Sequence, residues 1–185
     1  MNAIELLLTR TSCSKLTTPA PSNDEMGEVV QAALRAPDHA SLSPYKFLVY
    51  QGEDSLKQLG ELMLQAKLQL DPNLSDELQE KTRNLPLRAP MVVVAVATHI
   101  EHPKVPFVEQ IVTTGCALHS MLFALQTKGF NGYWRTGGLA QNDHLKQSLG
   151  FTQADEIVGF LYVGTPMIKS FKPNNKDPLD YIEYR

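Results

Sequence analysis

The sequence predicts a single domain in which long helices pack against buried strands, and three observations carry that expectation. Its 185 residues are 43% hydrophobic and 20% charged, enough apolar material for one sizeable core. Over 105–128, Val108, Ile111, Val112, Gly115, Leu118, His119, Leu122 and Leu125 recur at spacings of three and four, the period of a helix. The run 90–98, PMVVVAVAT, is apolar and rich in β-branched residues, as in a strand covered on both faces.

Composition also excludes function classes. A net charge of −3 argues against a nucleic-acid or anionic-membrane surface. No run reaches the roughly 18 apolar residues of a membrane span. The start, MNAIELLLTRTS, lacks the basic flank and cleavage site of a signal peptide and reads as a short amphipathic helix. Cys13 and Cys116 are too few for a disulfide framework, so a reducing, cytoplasmic compartment is expected. No repeat or linker divides the chain, and residues 1–185 are expected to form one domain.

The elements follow in order. A first helix over 3–9 places Ile4, Leu7 and Leu8 on one side. Behind it, Arg10 and Lys15 bracket Thr11, Ser12 and Ser14, a group of cations and hydroxyls able to hold a phosphate or to end a helix in solvent. Ser22 and Glu25 form a capping box for a second helix presenting Met26, Val29, Val30, Ala33 and Leu34. The polar loop 38–44 leads into a strand at 45–50. Within that loop Asp38 and His39 are sequence neighbours, which seldom form a catalytic pair, and no nucleophile signature accompanies them.

Helices are expected from Asp54 or Ser55 to Leu70 and from beyond Pro72 toward Asn84, without recognisable chemistry. His99 and His102 lack the further ligands a metal needs and read as exposed loop histidines. In the long helix, proline near the start suits the first turn, and Lys128 with Gly129 closes the end. Thr113, Thr114, Gly115, Cys116 and Ala117 are small, so another backbone is expected to pack close to the middle. The helix is apolar nearly all round and should be deeply buried, Cys116 and His119 included. Next, 133–138 reads as an aromatic strand delivering Arg135 and Thr136 into a glycine-rich turn. A short helix capped by Asn142 or Asp143, a strand over 157–164 and a polar tail follow. The tail ends in Tyr181, Ile182 and Tyr184, and such a terminus is expected to dock, most readily on a second copy of the chain.

Five blocks, taken together, resemble the nitroreductase-like family of flavin mononucleotide (FMN) enzymes over nearly the whole length. They are Arg10-Thr11-Ser12; Arg35-Ala36-Pro37-Asp38-His39 with Pro44-Tyr45; the helix start from Lys104-Val105-Pro106 to Glu109-Gln110; GFNGYWRTG over 129–137; and VGFLYVGTP over 158–166. Within the family the compact bacterial NAD(P)H nitroreductases are most similar. Thr11 stands where the family usually has a second arginine. Ser14 stands where it commonly has another, and Ser43-Pro44-Tyr45 replaces Gln-Pro-Trp.

The resemblance implies an α+β fold: a mainly antiparallel sheet flanked by helices, with the long helix at an intertwined homodimer interface. It implies FMN in a groove shared between subunits. Arg10, Thr11 and Ser12 would meet the ring edge and ribityl chain, and Trp134, Arg135 and Thr136 the ribityl-phosphate end. Arg35 and His39 would reach in from the partner. Phosphate suits arginine forks, and donors near the ring stabilise reduced flavin. NAD(P)H would pass a hydride to flavin N5 and give way to an acceptor such as a nitroaromatic or quinone, in ping-pong fashion. A flavin carrier or redox-sensing dimer needs the same cradle. No side chain is assigned as acid, base, nucleophile or metal ligand.

Overall fold

The structure is a computed structural model and describes residues 2–168 and 176–185. Its centre is strand β3 (Met91–Ala97), in which every residue is 0% exposed. On one edge it pairs antiparallel with β2 (Tyr45–Gln51), and on the other with β5 (Glu156–Pro166). The far edge of β5 takes β4 (Asn131–Arg135), and its end takes the two-residue β1 (Leu16–Thr17), again antiparallel. Among the described residues the sheet has these five strands.

Strand period two sends alternate residues of β3 into two cores. Val92, Val94 and Val96 meet Leu56, Leu59 and Met63 of α3 (Glu53–Leu70) and Leu145 of α6 (Asp143–Ser148). Met91, Val93 and Ala95 meet Met26 and Val29 of α2 (Asn23–Ala33), with Leu118, Met121 and Leu125 of α5 (Phe107–Thr127). The result is the α+β architecture expected, an antiparallel sheet with helices on both faces. Ser22 and Glu25 do form the capping box of α2. Helix α4 (Asp76–Arg83) forms an outer layer on α3. At that crossing a Cβ on Gly60 would lie 2.0 Å from the Arg83 carbonyl oxygen, so only glycine allows the two backbones to approach.

The long helix starts with Pro106 as its cap rather than inside its first turn, and ends where Gly129 takes a φ of +83°. Lys128 at that end pairs with Glu28. Its burial differs from the expectation. Ala117, Leu118, Met121 and Leu125 are sealed, but Val108 and Val112 are 63% and 59% exposed, His119 is exposed and Cys116 half-buried. The reason is geometric: the chain supplies partners on one side of the cylinder only. Among the described residues α5 also has the length and apolarity of a membrane span, yet its inner stripe is the core of this domain.

Helix α1 (Ala3–Thr9) repeats the pattern, with Ile4, Leu7 and Leu8 all more than half exposed. At the C-terminus Leu179, Tyr181, Ile182 and Tyr184 are exposed too, so the tail does not dock on its own chain. Part of that tail, 169–175, lies outside the described residues.

Candidate functional site

Of the candidate residues, Arg10, Thr11 and Ser12 lie at one station, toward the C-terminal end of α5, and Arg35 and His39 at a second, by its N-terminal half; Trp134 packs on its middle, and Arg135 and Thr136 lie away from α5. At its C-terminal end, the segment leaving α1 runs beside the free edge of β4, where the Cys13 N–H donates to the Gly132 carbonyl at 3.3 Å. Arg10 and Ser12 lie on one side of this segment, Arg10 Nη1 being 3.4 Å from Ser12 Oγ. Thr11 turns the other way: its hydroxyl is buried against the turn between α5 and β4. There Thr11 Oγ1 and Gln126 Oε1 are both buried without a hydrogen-bond partner among the described residues, beside a hollow of about 400 Å³. The charge of Arg10 also reaches His119, whose pKa is lowered first by partial burial of the ring and then by that positive charge.

On β4, successive side chains go to opposite faces. Trp134 packs toward α5, its ring 3.6 Å from where a Cβ on Gly115 would stand. Its indole N–H donates to the Val158 carbonyl at 3.2 Å. That carbonyl is available because the β3–β5 register slips there, Ala95 facing Gly159 and Val96 facing Ile157, which leaves Val158 as the extra residue of a bulge. A Cβ on Gly159 would sit 2.1 Å from the indole nitrogen, so glycine makes the slot. The Trp134 side chain is thus committed to packing.

Arg135, on the opposite face, lies 4.6 Å from the Tyr133 ring centre and 5.6 Å from that of Tyr162, a cation held over two aromatic rings. Burial pushes the Tyr162 hydroxyl pKa up, with Arg135 and Arg88 pulling it back. Thr136 is exposed on the rim of a separate hollow with Lys67 and Leu70.

The second station is the loop 37–44 against the N-terminal half of α5. His39 Nδ1 is 2.6 Å from Glu109 Oε2. Thr113 Oγ1 donates to the Pro37 carbonyl at 3.0 Å and Thr114 Oγ1 to that of Pro44 at 3.2 Å. This is the close backbone approach that the small residues of α5 foretold. Asp38 accepts from the N–H groups of Leu42 (3.2 Å) and Ser43 (2.7 Å). Between these ties Ala40, Ser41 and Ser43 have φ of +60°, +54° and +51°. Arg35 stands exposed just ahead of the loop.

The two stations are far apart within one chain. From Glu109, beside His39, it is ten residues to His119, beside Arg10, and seventeen to Gln126, whose amide reaches Thr9. At about 1.5 Å per residue that is about 15 and 25 Å along the axis. Among the described residues Arg10, Arg35 and Arg135 have no carboxylate partner. Arginines without carboxylate partners, one of them stacked on aromatics, suit an anionic, ring-bearing cofactor such as FMN. A hollow of about 550 Å³ between β1 and α3 holds none of the candidate residues.

Sequence reading missed Glu109, Asp38, Thr113 and Thr114 as the supports of His39. Asp38 had a local signal, an Asx residue opening a turn. Glu109 had none, because its partner lies 70 residues away.

An antiparallel sheet between helices, with one long central helix and arginines of neighbouring segments near both of its ends, defines a nitroreductase-like α+β protein. A nitroreductase-like family protein from Bacillus cereus superposes with a TM-score of 0.84 at 21% identity, over 100% of this chain and 96% of that one. A mutant of the FMN and NADPH-dependent nitroreductase NfnB from a Sphigopyxis strain gives 0.74 at 15%, over 100% and 99%. The sequence model of the nitroreductase family matches residues 7–165, and the chain belongs to that family, which makes it an oxidoreductase. The Escherichia coli protein named "Putative NAD(P)H nitroreductase YdjA" is 38% identical over 100% of both chains.

Proposed function

We propose that the whole chain is one FMN-binding domain that works as a homodimer in the cytoplasm, oxidising NAD(P)H and reducing a small acceptor such as a nitroaromatic or quinone. The observation that carries this reading is three arginines without a carboxylate partner among the described residues, in a chain of net negative charge: Arg10 by the C-terminal half of α5, Arg35 just ahead of the loop on its N-terminal half, and Arg135 over the rings of Tyr133 and Tyr162. Bound FMN supplies the hydride relay, donor and acceptor taking turns at one face.

The side chains hold and orient. Arg135, stiffened by two tyrosine rings, presents a guanidinium fork to the phosphate end, with Thr136 beside it. Arg10 and Ser12 share a side and meet the ribityl chain and ring edge, while Thr11 contributes through backbone and packing. Trp134 sets the plane of β4 from behind. Arg35 and His39 come from the partner. A two-fold axis that lays α5 antiparallel on its mate brings the N-terminal station of one chain to the C-terminal station of the other, and it covers Val108, Val112 and the exposed face of α1. The relative's name supports NAD(P)H as donor, and the name of the Sphigopyxis enzyme supports FMN.

The test mixes two variants, Arg10→Ala and Arg35→Ala, each expected to be nearly flavin-free alone. Unfolded and refolded together, half the dimers pair at random as mixed dimers. One site then carries both lesions and the other neither, so about a quarter of all sites regain FMN, its yellow colour, and NAD(P)H oxidation. No recovery, with mixed dimers confirmed by mass, refutes the shared site. A parent protein that is colourless and leaves FMN fluorescence unquenched refutes the flavin reading altogether.

A further inference from the structure

The pair between His39 and Glu109 does little for the fold. Its side chains are 55% and 46% exposed, and exposed pairs typically contribute roughly 0–1 kcal/mol. The loop that carries His39 is nevertheless tightly determined. Ala40, Ser41 and Ser43 hold positive φ without being glycine, a strain of about 1–3 kcal/mol each. Against that strain stand two bonds from Asp38 to the loop amides and two threonine hydroxyls of α5 on the carbonyls of Pro37 and Pro44.

The supports from α5 come from consecutive turns of the helix, Thr113 lying one turn beyond Glu109 on the same face and Thr114 next to it. The threonines fix the ends of the loop, and Glu109 holds a side chain of the loop itself. A carboxylate can only accept, so the hydrogen of this bond sits on His39 Nδ1. That leaves Nε2 as the free polar edge of the ring, with no partner among the described residues. Orienting a ring through one nitrogen so that the other meets a ligand is how carboxylates act behind functional histidines.

On the reading that FMN is bound at the shared site, we propose that Glu109 is its positioning residue. It fixes the tautomer and ring plane of His39 so that Nε2 meets the cofactor. Glu109 itself does not touch FMN.

The experiment measures FMN dissociation constants of the apoprotein by fluorescence quenching for Glu109→Ala and Glu109→Gln, each in the parent and in a His39→Asn background. Glu109→Ala is expected to weaken binding about tenfold. Glu109→Gln, which keeps an acceptor for Nδ1–H, should recover most of that loss. In the His39→Asn background the Glu109→Ala effect should vanish, because the carboxylate has no ring left to orient. An unchanged constant for Glu109→Ala in a parent that binds FMN overturns this inference and leaves the functional reading intact. An equal loss with and without His39 also overturns it, since Glu109 would then act directly. A parent that binds no FMN removes both. Glu109 is half exposed on a helix, so both variants should fold, and melting curves of the apoproteins check that.

Discussion

The two faces of α5 look alike in the sequence and differ completely in the folded chain. The inner face, with Ala117, Leu118, Met121 and Leu125, is sealed against β3 and α2. The outer face, with Val108, Val112 and His119, is open. Residue type separates them poorly, because Val108 and Val112 recur at the same helical spacing as the buried leucines. The difference shows that the chain packs against only one side of this helix. The same holds for α1 and for the C-terminal residues 179–184, so the unpartnered surfaces belong to three elements that a second copy could cover together.

The largest effect should come from the inner face. Leu118 is 0% exposed, and Leu118→Ala should lower stability by about 3 kcal/mol or more, leaving a cavity in a dense core. In thermal unfolding that is a drop of roughly 6–12 °C for a chain of this size. The loss should be independent of protein concentration when variant and parent are compared at the same dilution. A shift of less than about 2 °C would mean that the α2–α5 layer repacks freely.

The outer face should respond differently. Val112→Lys places an ammonium on an exposed helix position, which the isolated chain tolerates. In a two-fold dimer the substitution appears twice at the seam, so association should weaken by about 2 kcal/mol or more. Sedimentation of parent and variant across a dilution series reads this directly, and FMN should be lost as the dimer parts. If Val112→Lys stays dimeric and yellow at all dilutions, the partner covers some other surface and the antiparallel α5 pairing is wrong.

What could be read from the sequence follows the same division. Periodicity located α5 and β3 because each carries a long unmixed signal, and it found the capping box of α2 because Ser22 and Glu25 are three residues apart. The polar loop 38–44 is legible, but its strain is not, since Ala40 and Ser41 are not residues that announce positive φ. Arg10, Arg35 and Arg135 stood out as cations in recognisable blocks, whereas Glu109 became meaningful only once the fold brought it to His39. Burial of His119 was misjudged for a plain reason. Helical spacing gives the angle of a side chain about the axis, but not whether its own chain packs on that side.

His119 offers the finest probe of the comparison, with the smallest expected effect. Its pKa lies below the ordinary 6.5, chiefly through burial and then through Arg10. Its ring packs edge-on to Phe123, with centroids 4.6 Å apart, on the outer face. The unfolded chain therefore takes up a proton near 6.5 that the folded chain accepts only at lower pH. Stability from this residue is whole above 6.5 and declines as pH falls from there toward the folded value. A second copy laid over the outer face would deepen the burial, which is the leading cause, so the decline should steepen in the dimer. Comparing the parent with His119→Gln from about pH 7.5 to about pH 5.5, the parent should lose melting temperature relative to the variant below about 6.5. The gap should be wider at high protein concentration than under dilution. Parallel curves at every concentration would show that His119 stays in water throughout, and the interface would then have to be drawn around it rather than over it.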